Sequence, residues 1–266
     1  SQFPLTTDDK ILQKTPFSFD ASVWEFFAPL MSGAELVMAK PNGHQDPNYL
    51  LDVIQQKQIT TLQAVPSLLG MLISTTENDV AYSQHLSSLQ RLFCGGEVLN
   101  IDLKQKVDSM SAELINLYGP TECTIDATYH VIEKELEIHR IPIGRAIANM
   151  QTYILDAKQN PVPLGVAGEL YLAGSGVGRG YLYRKELTQD TFVELSLNDK
   201  SLWQAENLPT TLRLYKTGDK VRYLADGTID YVERIDHQVK LRGYRIELGE
   251  IESALTRLDD ITHSAV

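Results

Sequence analysis

The segment YGPTE, residues 118–122, combines residue types that can bind a phosphate group and a metal ion. It follows an apolar stretch that predicts a strand, and Gly119-Pro120 turns the chain sharply at the strand end. The Thr121 hydroxyl can bond a phosphate oxygen, and the Glu122 carboxylate can hold a Mg²⁺ ion that bridges to it. Taken alone, the segment is better explained as an ordinary Gly-Pro turn.

A second glycine-rich segment, GSGVGRG at residues 174–180, does not match a phosphate-binding loop. Its glycines stand at every second residue, which fails the G-x-G-x-x-G spacing, and it follows a hairpin pattern instead of opening a helix. The sequence also contains no G-x-x-x-x-G-K-[ST] motif. A flexible turn is therefore the better interpretation of this segment.

The elements that must position the YGPTE segment alternate between strands and helices. Asp46-Pro47 predicts a helix start, Ser67 can cap a later helix, and apolar residues from Leu103 to Met110 repeat at helical spacing. Strands that alternate with such helices predict a parallel sheet. The predicted strands of this part of the chain are residues 60–65, 89–94 and 113–118.

The carboxyl ends of these three strands carry Gln63, Gly95 and Tyr118. In open α/β sheets, ligands bind beyond the carboxyl ends of the strands. The YGPTE segment begins at the same edge. We therefore expect a ligand site there.

Beyond about residue 141 the sequence predicts short strands separated by turns. The segment VRYLADGTIDYVER, residues 221–234, predicts a hairpin with Asp226-Gly227 as its tight turn. These patterns predict a small, mostly antiparallel β subdomain beside the α/β part. The residues that follow change to strand, turn and amphipathic helix, which is typical of the opening of another unit.

The composition excludes several classes of protein. A formal net charge of −11 argues against nucleic-acid binding, which normally needs a basic surface. No apolar run approaches the ~20 residues of a membrane span, and the N-terminal residues do not have the pattern of a signal peptide. Cys94 and Cys123 are expected to be reduced and buried, in a cytoplasmic protein. The histidines show no metal-binding spacing.

Several motifs together closely resemble the core motifs of the adenylate-forming superfamily. The form FDASVWE resembles specifically the amino-acid adenylation domains of nonribosomal peptide synthetases. The resemblance extends from Phe17 to about Glu252. In chain order the motifs are FSFDASVWEFF (17–27), FCGGE (93–97), YGPTE (118–122), GELYLAGSGVGRGYLYR (168–184), YKTGDKVRYLADGTIDYVERID (215–236) and LRGYRIELGEIE (241–252).

The resemblance implies an α/β fold of the adenylate-forming type. It implies a parallel-sheet α/β core in residues 1–140, a β-rich subdomain in residues 141–235, and a hinge with the start of a mobile α+β C-terminal subdomain in residues 236–266. The phosphate loop expected before Phe17 and the family's C-terminal lysine are not found in the sequence, and Glu233 replaces a usual glycine. We therefore expect the chain to be an internal piece of the domain, poorly active alone.

The activity implied by the resemblance is ATP-dependent activation of an amino acid to aminoacyl-AMP, followed by transfer to a carrier protein as a thioester. The implied cofactors are ATP and Mg²⁺, with phosphopantetheine on the carrier. The implied partners are the peptidyl carrier domain and the condensation domain of the same synthetase. Catalysis would rest on positioning and on charge neutralisation around phosphorus.

The resemblance also implies roles for individual residues around the nucleotide. Asn116 and Tyr118 match residues that contact adenine, and Tyr231 closes its other face. Thr121 matches a phosphate ligand and Glu122 the Mg²⁺ ligand. The remaining matches are Asp219 as the acceptor for the ribose hydroxyls, Arg234 as the cation near ribose and phosphate, and Asp236 as the hinge.

Asp20 matches the aspartate that pairs with the α-ammonium group of the substrate, although it could equally cap the helix that follows it. The polar residues Gln63 and Asp126 favour glutamine, whose amide can bond to both. Glutamate would add a charge near Asp126 without compensation, whereas lysine or ornithine could pair with it. Gly95 is expected to leave open space in this pocket. The full predicted lining is Asp20, Ala21, Trp24, Gln63, Phe93, Gly95, Leu117, Ile125 and Asp126.

Two other functions are compatible with parts of this pattern. An acyl- or aryl-CoA ligase of the same superfamily would have no use for Asp20, because its substrate carries no ammonium group. A non-catalytic scaffold that kept the fold would have no use for the set of Thr121, Glu122, Asp219 and Arg234. The presence of these residues therefore favours amino-acid activation.

Overall fold

The computed structural model contains a seven-stranded sheet in which the first five strands, in spatial order, are parallel and the last two are antiparallel to their neighbours. It describes residues 2–79, 82, 84–134, 140–196, 211–236, 238–241, 243–258, 261 and 263–266. The spatial order is β2 (Glu35–Met38), β1 (Lys10–Gln13), β3 (Thr61–Ala64), β4 (Arg91–Cys94), β5 (Glu113–Tyr118), β6 (Thr128–Ile132) and β7 (Arg145–Ala146).

Four helices connect the strands of this sheet, and their caps follow from the sequence. The Asp46 side chain accepts a hydrogen bond from the Tyr49 amide, as its N-cap position predicts. Ser67 was expected to cap a helix, but that helix begins one residue earlier, at Pro66, so Ser67 lies inside its first turn. The helices are α1 (Ala21–Ser32), α2 (Pro47–Lys57), α3 (Pro66–Asn78) and α4 (Ile101–Asp108).

A second, antiparallel sheet follows, with the order β10-β11-β9-β8 and β12 paired to β11. The predicted Asp226-Gly227 turn lies between β11 and β12. The glycine-rich segment 174–180 leaves the end of β9 as a turn and opens no helix, as expected. The elements are β8 (Met150–Leu155), β9 (Gly168–Gly174), α5 (Lys185–Thr191), β10 (Phe192–Ser196), β11 (Thr211–Tyr223) and β12 (Ile229–Arg234).

The last elements form a separate two-stranded hairpin and a short helix: β13 (Val239–Leu241), β14 (Tyr244–Ile246) and α6 (Leu248–Leu255). The change from the first sheet to the second falls between β7 and β8, a few residues after the predicted boundary at 140. Cys94 and Cys123 are free and buried. In the described part of the chain, no helix has the length and apolar character needed to cross a membrane.

Candidate active site

A cavity of about 510 Å³ lies beyond the carboxyl end of β5 and is lined by four of the predicted nucleotide-binding residues. Asn116 and Tyr118 line it from β5, and Tyr231 and Arg234 line it from β12. The Asn116 side chain is fixed because its amide nitrogen donates to the Pro142 carbonyl at 2.8 Å. Two strands of different sheets therefore bring together residues that are far apart in sequence.

Tyr118, Asp219 and Arg234 form a continuous hydrogen-bonded chain beside this cavity. The Tyr118 hydroxyl donates to Asp219 Oδ2 at 2.5 Å, and Arg234 Nη1 donates to Asp219 Oδ1 at 3.1 Å. Burial and the Asp219 carboxylate raise the pKa of Tyr118 well above its usual value, so the phenol stays a proton donor. Asp219 is itself buried. Its orientation is therefore held from both sides.

Arg234 also holds the predicted hinge residue. Its Nε and Nη2 donate to the two oxygens of Asp236 at 2.8 and 2.5 Å, and its Nη1 donates to the Thr217 carbonyl at 2.9 Å. Burial opposes ionisation of Asp236, but the hydrogen bonds from Arg234 and the Gln238 amide, together with the charges of Arg234 and Arg245, lower the pKa of this carboxyl. Gly218 has a φ of +72°, and a Cβ there would lie 2.8 Å from Arg234 Nη2, so the turn requires glycine.

Thr121 and Glu122 lie in a single turn of 3₁₀-helix after β5 and line a larger cleft of about 920 Å³. The Glu122 carboxylate accepts the Tyr181 hydroxyl at 2.6 Å and the Arg245 guanidinium at 2.7 Å. Burial would raise the pKa of Glu122, but the contacts with Tyr181 and Arg245 outweigh it and lower the pKa. This carboxylate therefore already binds a cation, which fits its predicted role as a Mg²⁺ ligand.

No group of three or more His, Cys, Asp or Glu residues in the described part of the chain could hold a metal ion. Mg²⁺ in nucleotide sites is commonly held by one or two carboxylates together with the phosphates of the substrate. A single carboxylate at Glu122 is compatible with that kind of site.

Asp20 occupies the N-cap position of α1, yet its side chain makes no cap hydrogen bond. Helix α1 is instead anchored through Glu25, which is fully buried. The Glu25 carboxylate accepts the backbone amides of Lys14 and Thr15 at 3.0 and 2.9 Å, and the Lys14 ammonium at 3.1 Å. The start of α1 is therefore fixed in place while the Asp20 carboxylate remains available to a ligand.

Two aromatic side chains predicted to line the substrate pocket are in contact. The rings of Trp24 and Phe93 meet edge to face, with centroids 5.2 Å apart, and Phe3 packs against Phe93 from another direction at 5.5 Å. Gln63 is the partner of Phe93 in the β3–β4 register, so it lies at the same level of the sheet. Ala21 is the first residue of α1, next to Asp20.

Gly95 was expected to leave open space in the pocket, but the space in the direction of a side chain is filled. A Cβ at Gly95 would lie 2.9 Å from the Leu117 carbonyl oxygen and 3.2 Å from the Leu117 Cβ. Glycine here lets the chain after β4 approach the end of β5 closely. Leu117 is thereby part of the same wall as Gly95.

Asp126 is presented by a strained turn. Thr124 and Ile125 both have positive φ, 62° and 76°, which is unusual for residues other than glycine and most of all for β-branched ones. Burial, followed by the nearby Asp20 carboxylate, raises the pKa of Asp126 to about 7. The candidate pocket thus holds two interacting carboxyl groups, Asp20 and Asp126.

The structure adds residues that the sequence did not identify as part of the site. Glu97 and Lys240 line the 510 Å³ cavity, and Tyr181 and Arg245 line the larger cleft. Glu97, Tyr181 and Arg245 lie within motifs singled out above, and Lys240 lies directly before one of them. Glu97 also directly follows the strand end at Gly95-Gly96, a position that could have indicated it. The contacts of Arg245 depend on how a distant hairpin packs, for which the sequence carries no local signal.

The model of the AMP-binding enzyme family matches residues 1–182. The chain belongs to this family. The expected relationship is confirmed, since both curated relatives and solved structures of nonribosomal peptide synthetase adenylation domains are homologous to it. The α/β fold of the adenylate-forming type is confirmed by the same structures. By family, the chain is thus related to adenylate-forming ligases.

Among curated relatives, tyrocidine synthase 3 of Brevibacillus parabrevis is 51% identical to the chain over 265 residues, a match that covers 99% of the chain and 4% of that protein. A solved protein with adenylation and PCP domains, PA1221, bound to a vinylsulfonamide inhibitor, is 30% identical with a TM-score of 0.85. The match covers 99% of this chain and 44% of that one.

The adenylation domain AlmE of Vibrio cholerae, solved with glycyl-adenosine-5'-phosphate, is 31% identical with a TM-score of 0.83. The match covers 99% of this chain and 47% of that one. The chain therefore spans less than half the length of these relatives.

Proposed function

We propose that the chain is the central part of an amino-acid adenylation domain. The complete domain would activate an amino acid with ATP, form aminoacyl-AMP and load the aminoacyl group onto a carrier protein. Two observations carry this proposal together: the Asp20 carboxylate at the start of α1 makes no cap hydrogen bond, and a separate cavity is lined by Asn116, Tyr118, Tyr231 and Arg234. An anionic group of this kind is expected where a substrate carries an ammonium group.

The nucleoside would bind in the 510 Å³ cavity. Its base would lie between Tyr118 and Tyr231 and bond to Asn116, and its ribose hydroxyls would donate to Asp219. Asp219 is suited to this role because Tyr118 and Arg234 already fix its orientation. Arg234 would stabilise negative charge near the ribose and phosphate.

In the first step, a carboxylate oxygen of the amino acid attacks the α-phosphorus of ATP. The bond from this phosphorus to the bridging oxygen breaks, and pyrophosphate leaves. The Thr121 hydroxyl would donate to a phosphate oxygen during this step. Glu122 would hold Mg²⁺, which when bound neutralises charge on the phosphates. The protein contributes mainly by aligning the two reactants.

In the second step, the phosphopantetheine thiol of a carrier domain attacks the aminoacyl carbonyl, loses its proton to solvent and displaces AMP. We propose a peptidyl carrier domain and a condensation domain of the same synthetase as partners; the solved relative PA1221 combines adenylation and PCP domains. The three-part division with Asp236 as hinge is part of this proposal. A cytoplasmic location stays a prediction.

Glutamine is the substrate we propose. Because the raised pKa of Asp126 reflects burial and the charge of Asp20, a further carboxylate in this pocket would be costly. A glutamine amide can donate to Asp126 and can exchange donor and acceptor with Gln63. Lysine and ornithine are the next candidates, since either could pair its side-chain ammonium group with Asp126.

The test is ATP–pyrophosphate exchange by the complete domain with glutamine, glutamate, ornithine, lysine and phenylalanine, in the wild type and in Asp20→Ala. We expect glutamine to be preferred and the substitution to abolish amino-acid selectivity. Preference for another amino acid would rule out glutamine as the substrate but would leave the proposed reaction unchanged. Selectivity unchanged by Asp20→Ala would favour an acyl- or aryl-CoA ligase, and exchange with none of the amino acids would favour that ligase or a scaffold.

A further inference from the structure

The β13–β14 hairpin is held against the rest of the protein through two carboxylates. The Gly243 amide at its turn donates to Glu97 Oε1 at 2.8 Å. Arg245 on β14 bonds to Glu122, and Tyr244 meets the ring of Phe19 edge to face at 5.3 Å. Both carboxylates lie beyond the carboxyl ends of strands in the first sheet, so the hairpin covers the edge where the candidate site lies.

Of these contacts, the pair between Arg245 and Glu122 has the geometry of a cation bound to a carboxylate. Arg245 Nη1 lies 3.0 Å from Oε1 and 2.7 Å from Oε2, so a single nitrogen contacts both oxygens. Tyr181 donates a further hydrogen bond to Oε1 at 2.6 Å. The Glu122 side chain is only 10% exposed, which leaves the two oxygens little room for another cation.

We propose that Arg245 takes the place of the divalent cation on Glu122, so that docking of the β13–β14 hairpin and binding of a metal–nucleotide complex compete for one carboxylate. This inference rests on the proposed function, in which Glu122 holds the metal. Two cations on the same carboxylate would repel each other at a short distance in a poorly solvated site. Arg245 would therefore leave Glu122 while a metal is bound there, and contact it again in the absence of the metal.

The competition has a thermodynamic consequence in both directions. If the metal–nucleotide complex weakens docking of the hairpin, docking must weaken binding of that complex by the same factor. Glu97 has no part in the competition, because its oxygens accept backbone amides, from Ser67 and Gly243. It holds the hairpin in either case and offers a matched control.

The experiment measures amide hydrogen exchange, by mass spectrometry, in peptides covering residues 239–246 of the complete domain. A non-hydrolysable ATP analogue is added with Mg²⁺ or with EDTA, and its binding is measured separately in each sample by equilibrium dialysis. In the wild type, we expect these peptides to exchange about tenfold faster with the analogue and Mg²⁺ than with the analogue and EDTA. This ratio corresponds to about 1.4 kcal/mol of docking free energy.

Three variants separate competition from a general loosening of the hairpin. Arg245→Met should exchange faster without any addition and should not respond to Mg²⁺. Arg245→Lys keeps a positive charge and should recover part of the response. Glu97→Gln should loosen the hairpin slightly and still respond to Mg²⁺ about as the wild type does.

Three outcomes would overturn the inference. If the analogue binds but Mg²⁺ does not change exchange in the wild type, the competition does not exist. If Arg245→Met responds to Mg²⁺ as the wild type does, another residue couples the metal to the hairpin. If the analogue does not bind at all, the proposed function fails and this inference fails with it.

Discussion

Replacing Asp126 with asparagine should stabilise the protein, and the gain should grow as the pH rises. Burial and the Asp20 carboxylate raise the pKa of Asp126 from 3.8 to about 7. Between these values the folded protein keeps a proton that the unfolded chain has released. The free energy of unfolding therefore falls as the pH rises through this window and is constant above it. Asparagine carries no charge and removes this dependence.

The size of this loss in unfolding free energy follows from the pH range between the two pKa values of Asp126. From pH 5 to the pKa of about 7, the wild type loses at most about 2.7 kcal/mol, at about 1.4 kcal/mol for each pH unit. Asp126 retains some solvent exposure, which screens part of this cost. We expect about half of it, ~1.3 kcal/mol, which corresponds to roughly 3–5 °C in Tm for a chain of this size.

The assay is thermal unfolding of the wild type and Asp126→Asn at pH 5 and pH 8, at one ionic strength. The Tm difference between the two proteins should be about 3–5 °C larger at pH 8. Asp8→Asn, at an exposed acid, should give the same Tm difference from the wild type at both pH values. A difference for Asp126→Asn that does not change with pH, or that shrinks as the pH rises, would refute the reasoning.

Two further substitutions test the groups that position the site. Tyr118→Phe removes a hydrogen-bond donor from the buried Asp219 carboxylate. It should cost about 1.5–3 kcal/mol of stability, measured by urea unfolding, and should raise the KM for ATP. Unchanged stability and KM would contradict the assigned contact. Glu25→Ala leaves the Lys14 ammonium buried without its carboxylate and should cost about 3–5 kcal/mol. The double substitution Lys14→Met with Glu25→Leu should recover only the part of that loss caused by the unpaired ammonium, because the amides of Lys14 and Thr15 still lose their acceptor. A double variant as unstable as Glu25→Ala would show that the unpaired ammonium is not the cause.

Three of the five parallel strands, β3, β4 and β5, could be predicted because they are short apolar stretches with clear ends, whereas β1 and β2 were not predicted. The strand predicted at residues 113–118 is β5 with the same bounds, and Asp46 caps α2 as its residue type and the following proline indicate. The antiparallel strands β6 and β7 were not predicted. β7 has only two residues, too few to show a periodicity, and it pairs with β6, which in turn pairs with β5.

The site was predictable where a motif carries the functional residue, and not where a contact depends on tertiary packing. Asn116, Tyr118, Tyr231 and Arg234 do line one cavity, although β5 and β12 are far apart in sequence. The contact between Glu122 and Arg245 could not be predicted, because nothing local to either residue indicates it. Their roles in binding ATP and metal stay predictions.

The most direct test of the account is amino-acid-dependent ATP–pyrophosphate exchange by the complete domain, measured beside a variant in which Glu122 is replaced by glutamine. The account predicts exchange that requires both an amino acid and Mg²⁺, and a large loss of exchange in Glu122→Gln. Exchange that proceeds equally well without an amino acid, or that Glu122→Gln leaves unchanged, would contradict it.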